Sequence, residues 1–169
     1  MGRDSYRRCV VFHSLSKRSN LPGLRSGFVA GDAQLLRQYL RYRTYHGATL
    51  PLPVQIASIA AWQDETHVMA NRDHYRKKFA AVDAILADAW PLTTPPAGFY
   101  HWAKTPIDDT VFAKKLFQQQ NISVLPGRYL SRQTTAGNPG EQHVRIALVA
   151  RQAECIDAAE RIVQFIQTL

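Results

Sequence analysis

Lys17 stands where a lysine can do covalent chemistry. The apolar segment Cys9-Val-Val-Phe12 reads as a buried strand, and it runs into two serines and this lysine. A lysine at the end of a buried strand loses its proton more easily than one in water, because low dielectric disfavours the ammonium. The neutral amine can then form a Schiff base with an aldehyde. Ser14 lies three residues before Lys17 and Arg25 eight after it, across the Pro22-Gly23 turn. A hydroxyl and a planar guanidinium are groups that hold a phosphate. An aldehyde that carries a phosphate is the outline of pyridoxal 5'-phosphate. Taken singly, each residue also has a plain structural reading. Lys17 can be a surface charge, Ser14 can cap the turn through its hydroxyl, and Arg25 can pair with a surface carboxylate. Gly23 and Gly27 serve tight backbone geometry first.

The run from Ser14 to Phe28 resembles the cofactor-lysine motif of the class I/II aminotransferases, the fold type I pyridoxal-phosphate enzymes. That motif has a serine three before the lysine and an arginine eight after it, and Ser14, Lys17 and Arg25 occupy those positions. The wider stretch from Lys17 to Asp32 is most similar to members that act on succinyldiaminopimelate, in lysine biosynthesis. The resemblance implies Lys17 as the catalytic, cofactor-bearing residue, with Ser14 and Arg25 as further cofactor ligands. It implies transamination between an amino acid and a 2-oxo acid, here N-succinyl-LL-2,6-diaminopimelate with 2-oxoglutarate. The alternatives are aspartate or another amino acid, or a non-catalytic remnant that packs on a partner chain. Family members are dimers, so a homodimer is expected of the complete enzyme.

The resemblance runs from near Gly2 to Leu169 and covers less than half of such an enzyme, its C-terminal portion. In the family, several cofactor groups lie upstream of the lysine. They include the phosphate-binding helix start, the stacking aromatic and the aspartate that pairs with the pyridine nitrogen and keeps the ring an electron sink. This polypeptide alone is therefore expected to be inactive or nearly so, and to need the missing half or a partner subunit.

Arg145 is the second candidate. In the apolar strand His143-Val-Arg-Ile-Ala-Leu-Val-Ala150, period-two alternation places Arg145, Ala147 and Val149 on one face. An arginine there needs an anionic partner, since an unpaired buried charge is costly. A local carboxylate would satisfy it. The strand also resembles the family segment whose arginine binds the substrate α-carboxylate, and Leu125-Pro-Gly-Arg-Tyr-Leu130 before it matches as well. Arg145 is thus implied as the substrate-binding residue. Arg128 and Arg132 are either contacts for a distal substrate carboxylate or simply solvated.

The elements that must position these residues form an α/β pattern. Strands are expected at 8–14 and 26–30, then a helix from Ala33 to about Arg43, capped by Asp32 and carrying Leu35, Leu36, Tyr39 and Leu40 on one side. A long helical stretch is expected from 54 to 89, with a polar middle that bends or breaks it. After the prolines of 91–97, strands are expected at 99–103, 122–125 and 143–150. Helices are expected from Asp108 or Asp109 to Gln120 and from Glu154 to Gln167, the latter burying Ile156, Ala159, Ile162, Val163 and Ile166. The resemblance divides this into a remnant of the large cofactor-binding domain (1–50), an interdomain helical connection (51–90) and a small C-terminal α/β domain (91–169).

The composition fits a globular protein: 46% of the 169 residues are hydrophobic and 20% charged. The net charge of +8 is high, but the basic residues are spread along the chain rather than clustered, which argues against a nucleic-acid partner. Anionic cofactor and substrate account for some of it. The six histidines show no metal-ligand spacing, and Cys9 and Cys155 read as buried thiols rather than a disulfide. No signal-like segment or bilayer-length apolar run is present, so a cytoplasmic location away from membranes is expected.

Overall fold

The computed structural model describes residues 6–169, and the start of the resemblance, up to residue 5, lies outside the described residues. The chain divides into two compact units, one ending at Arg72 and one running from Asp73 to Leu169.

In the first unit, β1 (Val10–Ser14) and β2 (Gly27–Gly31) form an antiparallel hairpin in which Val10 faces Gly31 and Ser14 faces Gly27. α1 (Leu15–Arg18) follows β1 directly as a single turn, and a 3₁₀ turn at Pro22–Leu24 reverses the chain. Asp32 caps α2 (Ala33–His46), accepting the Gln34 and Leu35 N–H groups. Its other oxygen accepts the Arg8 N–H at 2.7 Å, which ties the far end of the hairpin to the helix. α3 (Leu52–Gln63) ends at Asp64, whose extended backbone breaks the expected long helix. The Asp64 carboxylate then accepts the Thr66 N–H at 2.8 Å and starts α4 (Thr66–Leu86).

Two expectations fail in this unit. β1 is not buried: Val11 is 52% and Phe12 64% exposed. α2 buries no residue, and Leu35, Tyr39 and Leu40 stay exposed. A two-stranded sheet offers too little surface to cover its own faces. Cys9 is likewise only half-buried, and neither it nor the buried Cys155 forms a disulfide.

The second unit is a three-stranded antiparallel sheet in the order β3 (Tyr100–Lys104), β5 (His143–Ala147), β4 (Leu125–Pro126). Its inner face carries Ala103, Val144 and Ile146. Against it pack the later part of α4, α5 (Asp109–Gln120) and α6 (Gln152–Ile166), through Val82, Leu86, Phe112, Leu116, Ala159, Ile162 and Phe165. Phe112 is central: its ring meets Trp90 at 5.1 Å and Phe165 at 5.2 Å. In α6 the fully covered positions are Cys155, Ala159, Ile162 and Phe165. Ile156, Val163 and Ile166 flank them and are only half-buried.

Two strands are shorter than expected. The 122–125 segment pairs only at Leu125–Pro126, while Ile122 and Val124 pack against the core. β5 ends at Ala147, although the Leu148 N–H still donates to the Phe99 carbonyl at 2.9 Å. The Lys78 ammonium, 3% exposed, donates to the Leu148 carbonyl at 3.0 Å and to the Ala150 carbonyl at 2.5 Å. Phe112→Ala is expected to destabilise this unit by about 3–5 kcal/mol, read by urea unfolding. Loss of under about 1 kcal/mol would show that the ring is not the centre of this core.

Candidate active site

Ser14, Lys17 and Arg25 lie in the segments that adjoin one end of the hairpin. The link is Leu15, fully buried, whose N–H donates to the Ser26 carbonyl at 3.1 Å and whose own carbonyl accepts the Ser19 and Leu21 N–H groups. The residue after β1 is thereby fastened to the residue after Arg25. Gly27, opposite Ser14, allows this closeness: a Cβ there would stand 2.6 Å from the His13 carbonyl oxygen and 3.1 Å from the Ser14 Cβ. Any side chain at Gly27 would push β2 away from Ser14.

The side chains at this end are polar donors. Ser14 precedes α1 in extended conformation, yet its hydroxyl makes no capping bond, so the turn-capping reading does not hold. Lys17 is exposed on α1 rather than enclosed, so the desolvation expected of a buried strand end is not supplied by this unit. Arg25 adopts the left-handed region (φ 50°), a conformation that costs a non-glycine residue energy and persists only when the surroundings impose it. Its Nη1 donates to the Pro22 carbonyl at 2.8 Å, and no carboxylate among the described residues pairs with it. A hydroxyl, an ammonium and a guanidinium at one turn make a donor-rich, positively charged set. That set fits a phosphate-bearing aldehyde, with the amine for the aldehyde and the other two for the phosphate.

Arg145 belongs to the second unit. It lies on the outer face of β5, opposite Trp102 of β3 and Leu125 of β4. Its guanidinium stands 5.6 Å from the centre of the Tyr100 ring, and its buried Nε has no hydrogen-bond partner. No carboxylate among the described residues pairs with it, so the local-carboxylate reading is not met. An orphaned guanidinium donor on an aromatic-lined sheet face is suited to a planar anion.

Arg128 does not offer itself to a substrate carboxylate. Its Nε donates to Asp109 Oδ1 at 2.8 Å, its Nη2 pairs with both Asp108 and Asp109, and its backbone N–H reaches Asp109 Oδ2 at 3.1 Å. Asp109 is fully buried, so Arg128 is the countercharge that the interior requires. Asp108 caps α5, as expected of that pair. Arg132 is exposed. Close packing of the same loop is visible at Gly127, where a Cβ would stand 2.3 Å from the Gly140 carbonyl oxygen.

The carboxyl of Asp108 is lowered to about 2, first by the Thr110 hydroxyl, then by the Val111 and Thr110 N–H groups and the charge of Arg128. For Asp109, burial alone would raise the pKa, but hydrogen bonds from Arg128 outweigh it and the net shift is downward. Carboxyls depressed in the folded state contribute stability above their unfolded value, and that stability is lost as pH falls through the folded one. The second unit is therefore expected to lose melting temperature between about pH 4 and pH 2. Asp108→Asn should flatten that loss, and Arg128→Ala should lower the melting temperature already at neutral pH.

Three groups escaped sequence reasoning. His101, 1% exposed, places Nε2 at 2.9 Å from Asp83 Oδ1, an ion-pair distance without hydrogen-bond alignment. Lys78 ties α4 to the end of β5. Arg18, next to Lys17, is held by α3. No local spacing links these partners, which lie 18 to 72 residues apart. Only the unusual presence of a lysine at an apolar helical position, Lys78, was a signal.

Residues 1–162 match the family model for aminotransferase class I and II. A probable aminotransferase of Mycobacterium tuberculosis is 36% identical over 156 residues, which is 90% of this chain and 35% of that protein. An LL-diaminopimelate aminotransferase of Desulforudis audaxviator is 32% identical, over 90% of this chain and 38% of that protein. Among solved structures, an aminotransferase from Neisseria meningitidis superposes with a TM-score of 0.91 at 56% identity, over 96% of this chain and 42% of that one. The chain thus spans well under half the length of these relatives, and its mixed α/β units fit the C-terminal portion of a fold type I enzyme.

Proposed function

This chain belongs to the class I and II aminotransferases, enzymes that work with pyridoxal 5'-phosphate, and we propose that Lys17 is its cofactor-bearing catalytic lysine. The observation that carries the reading is the donor set at one end of the β1–β2 hairpin: Ser14 with its hydroxyl uncommitted to a cap, exposed Lys17, and Arg25, which pairs with no carboxylate among the described residues. When bound, the cofactor supplies an aldehyde that condenses with amines and a ring that draws electrons from the substrate Cα. Ser14 Oγ and the Arg25 guanidinium would hold the phosphate of the cofactor. Lys17 Nζ would hold its aldehyde carbon, and as a free amine would move a proton at the substrate Cα. Arg145 grips the α-carboxylate and so orients the α-amine. The unpaired Arg145 Nε supports that role.

The substrates of the complete enzyme are an amino acid and a 2-oxo acid. N-succinyl-LL-2,6-diaminopimelate with 2-oxoglutarate, as in lysine biosynthesis, is the favoured pair. The motif around Lys17 and the diaminopimelate relative support it. An amino donor such as aspartate is the second reading. Up to residue 50 the chain contributes to a large cofactor domain, 51–90 connect, and 91–169 form the small domain. A homodimeric, cytoplasmic enzyme is in keeping with the exposed apolar side chains of the first unit, among them Phe12, Leu40 and Ile56. No helix among the described residues is long and apolar enough to cross a membrane.

Pyridoxal 5'-phosphate followed by borohydride should mark Lys17 selectively in the peptide map of this chain, and Ser14→Ala and Arg25→Ala should each weaken that capture on the order of tenfold. Adducts spread evenly over the surface lysines would reject the site. With the cofactor present, N-succinyl-LL-2,6-diaminopimelate should raise the melting temperature more than aspartate does, and Arg145→Ala should abolish the difference. A larger shift with aspartate would favour the second reading.

A further inference from the structure

We infer that Arg18 is a positioning residue for Lys17, an inference that rests on the assignment of Lys17 as the cofactor-bearing lysine. α1 is one turn of four residues, far too short to be stable by its own hydrogen bonds. Its shape must come from contacts at its two ends. At the start, Leu15 is fully buried and its N–H is bonded to Ser26. At the end stands Arg18, whose side chain is only 7% exposed although the residue belongs to a surface turn.

The Arg18 guanidinium has four partners. Nη1 donates to the Ala61 carbonyl at 3.0 Å and to the Ser19 hydroxyl at 3.0 Å. Nη2 pairs with the Glu65 carboxylate. The plane lies 4.9 Å from the centre of the Trp62 ring, a cation–π distance. Trp62 in turn packs against His13 of β1 at 5.6 Å and Phe28 of β2 at 5.1 Å. One guanidinium thus joins α1 to the last turn of α3 and, through Trp62, to both strands of the hairpin. Lys17 lies between Leu15 and Arg18, so its Cα is bracketed by two anchors while the residue itself is exposed.

A lysine at position 18 would not reproduce this. An ammonium is a compact point charge, whereas the planar fork satisfies a carbonyl, a hydroxyl and a carboxylate together beside the Trp62 ring. Arg18 touches neither cofactor nor substrate in this scheme. It acts by holding the backbone from which Lys17 projects.

The test uses the 169-residue chain and its Arg18→Leu, Arg18→Lys, Glu65→Gln and Lys17→Ala variants. Two quantities are read: the concentration dependence of pyridoxal 5'-phosphate capture at Lys17, trapped with borohydride and mapped by mass spectrometry, and amide hydrogen exchange over residues 15–21, with α6 as internal reference. For Arg18→Leu, exchange over 15–21 should quicken on the order of tenfold while α6 is unchanged. Half-maximal capture should need on the order of tenfold more cofactor. Arg18→Lys should resemble Arg18→Leu rather than the parent, and Glu65→Gln, which removes one exposed partner, should show a smaller change in the same direction. The Glu65 variant carries the test if Arg18→Leu does not fold. Normal capture in the Arg18 variants, or slower capture without faster exchange, overturns the inference while Lys17→Ala still abolishes the adduct. Undiminished labelling in Lys17→Ala overturns the assignment of Lys17, and the inference with it.

Discussion

The candidate site depends on the buried side chain of Leu15 and the hydrogen bonds of its backbone. β1 ends at Ser14, and without an anchor the following residues would be ordinary loop. Burying Leu15 fully, at the point where its N–H meets the Ser26 carbonyl, turns that loop into a helical turn with a set direction. Ser14, Lys17 and Arg25 inherit their relation from this one fastening. Gly27 matters for the same reason, since the strand can approach Ser14 only where no Cβ intervenes.

The second unit solves a different problem, which is how to present an arginine on a thin sheet. Its three strands bury one face against helices and leave the other to Tyr100, Trp102 and Arg145. The register comes from apolar alternation, and buried charges tie the ends of the elements. Lys78 takes the carbonyls after β5, and Asp109 with Arg128 joins the start of α5 to the loop after β4. Each such charge is expensive to bury alone and is tolerated because the partner is in place. The arginine that looked most available for a substrate, Arg128, is instead the one the interior needs most.

The two units differ in how well they close. The second has a continuous core from Phe79 to Phe165. The first leaves Phe12, Leu40, Tyr42 and Ile56 largely exposed. The strand signal at Cys9-Val-Val-Phe12 was correct as to strand and misleading as to burial. Alternation and β-propensity report a strand's backbone, while burial depends on what lies across it. The same holds for α2, whose apolar stripe was readable and yet covers nothing within its unit.

Local chemistry was legible from the amino acids alone. Asp32 as a cap, a cap at Asp108 or Asp109, a break within the polar stretch 63–78, the strand bearing Arg145 and the serine–lysine–arginine spacing all depend on neighbours a few residues away. Side-chain type and period carry such information directly. What the tertiary structure decided is which distant polar groups meet. Arg18 with Ala61 and Glu65, Lys78 with Leu148 and Ala150, His101 with Asp83, and Arg128 with Asp109 are pairs set by folding across distant segments. An arginine looks the same in sequence whether it will face solvent, a substrate or a buried aspartate. Its fate is settled by the electrostatic cost of the place where the fold puts it, and that place exists only once the segments have packed.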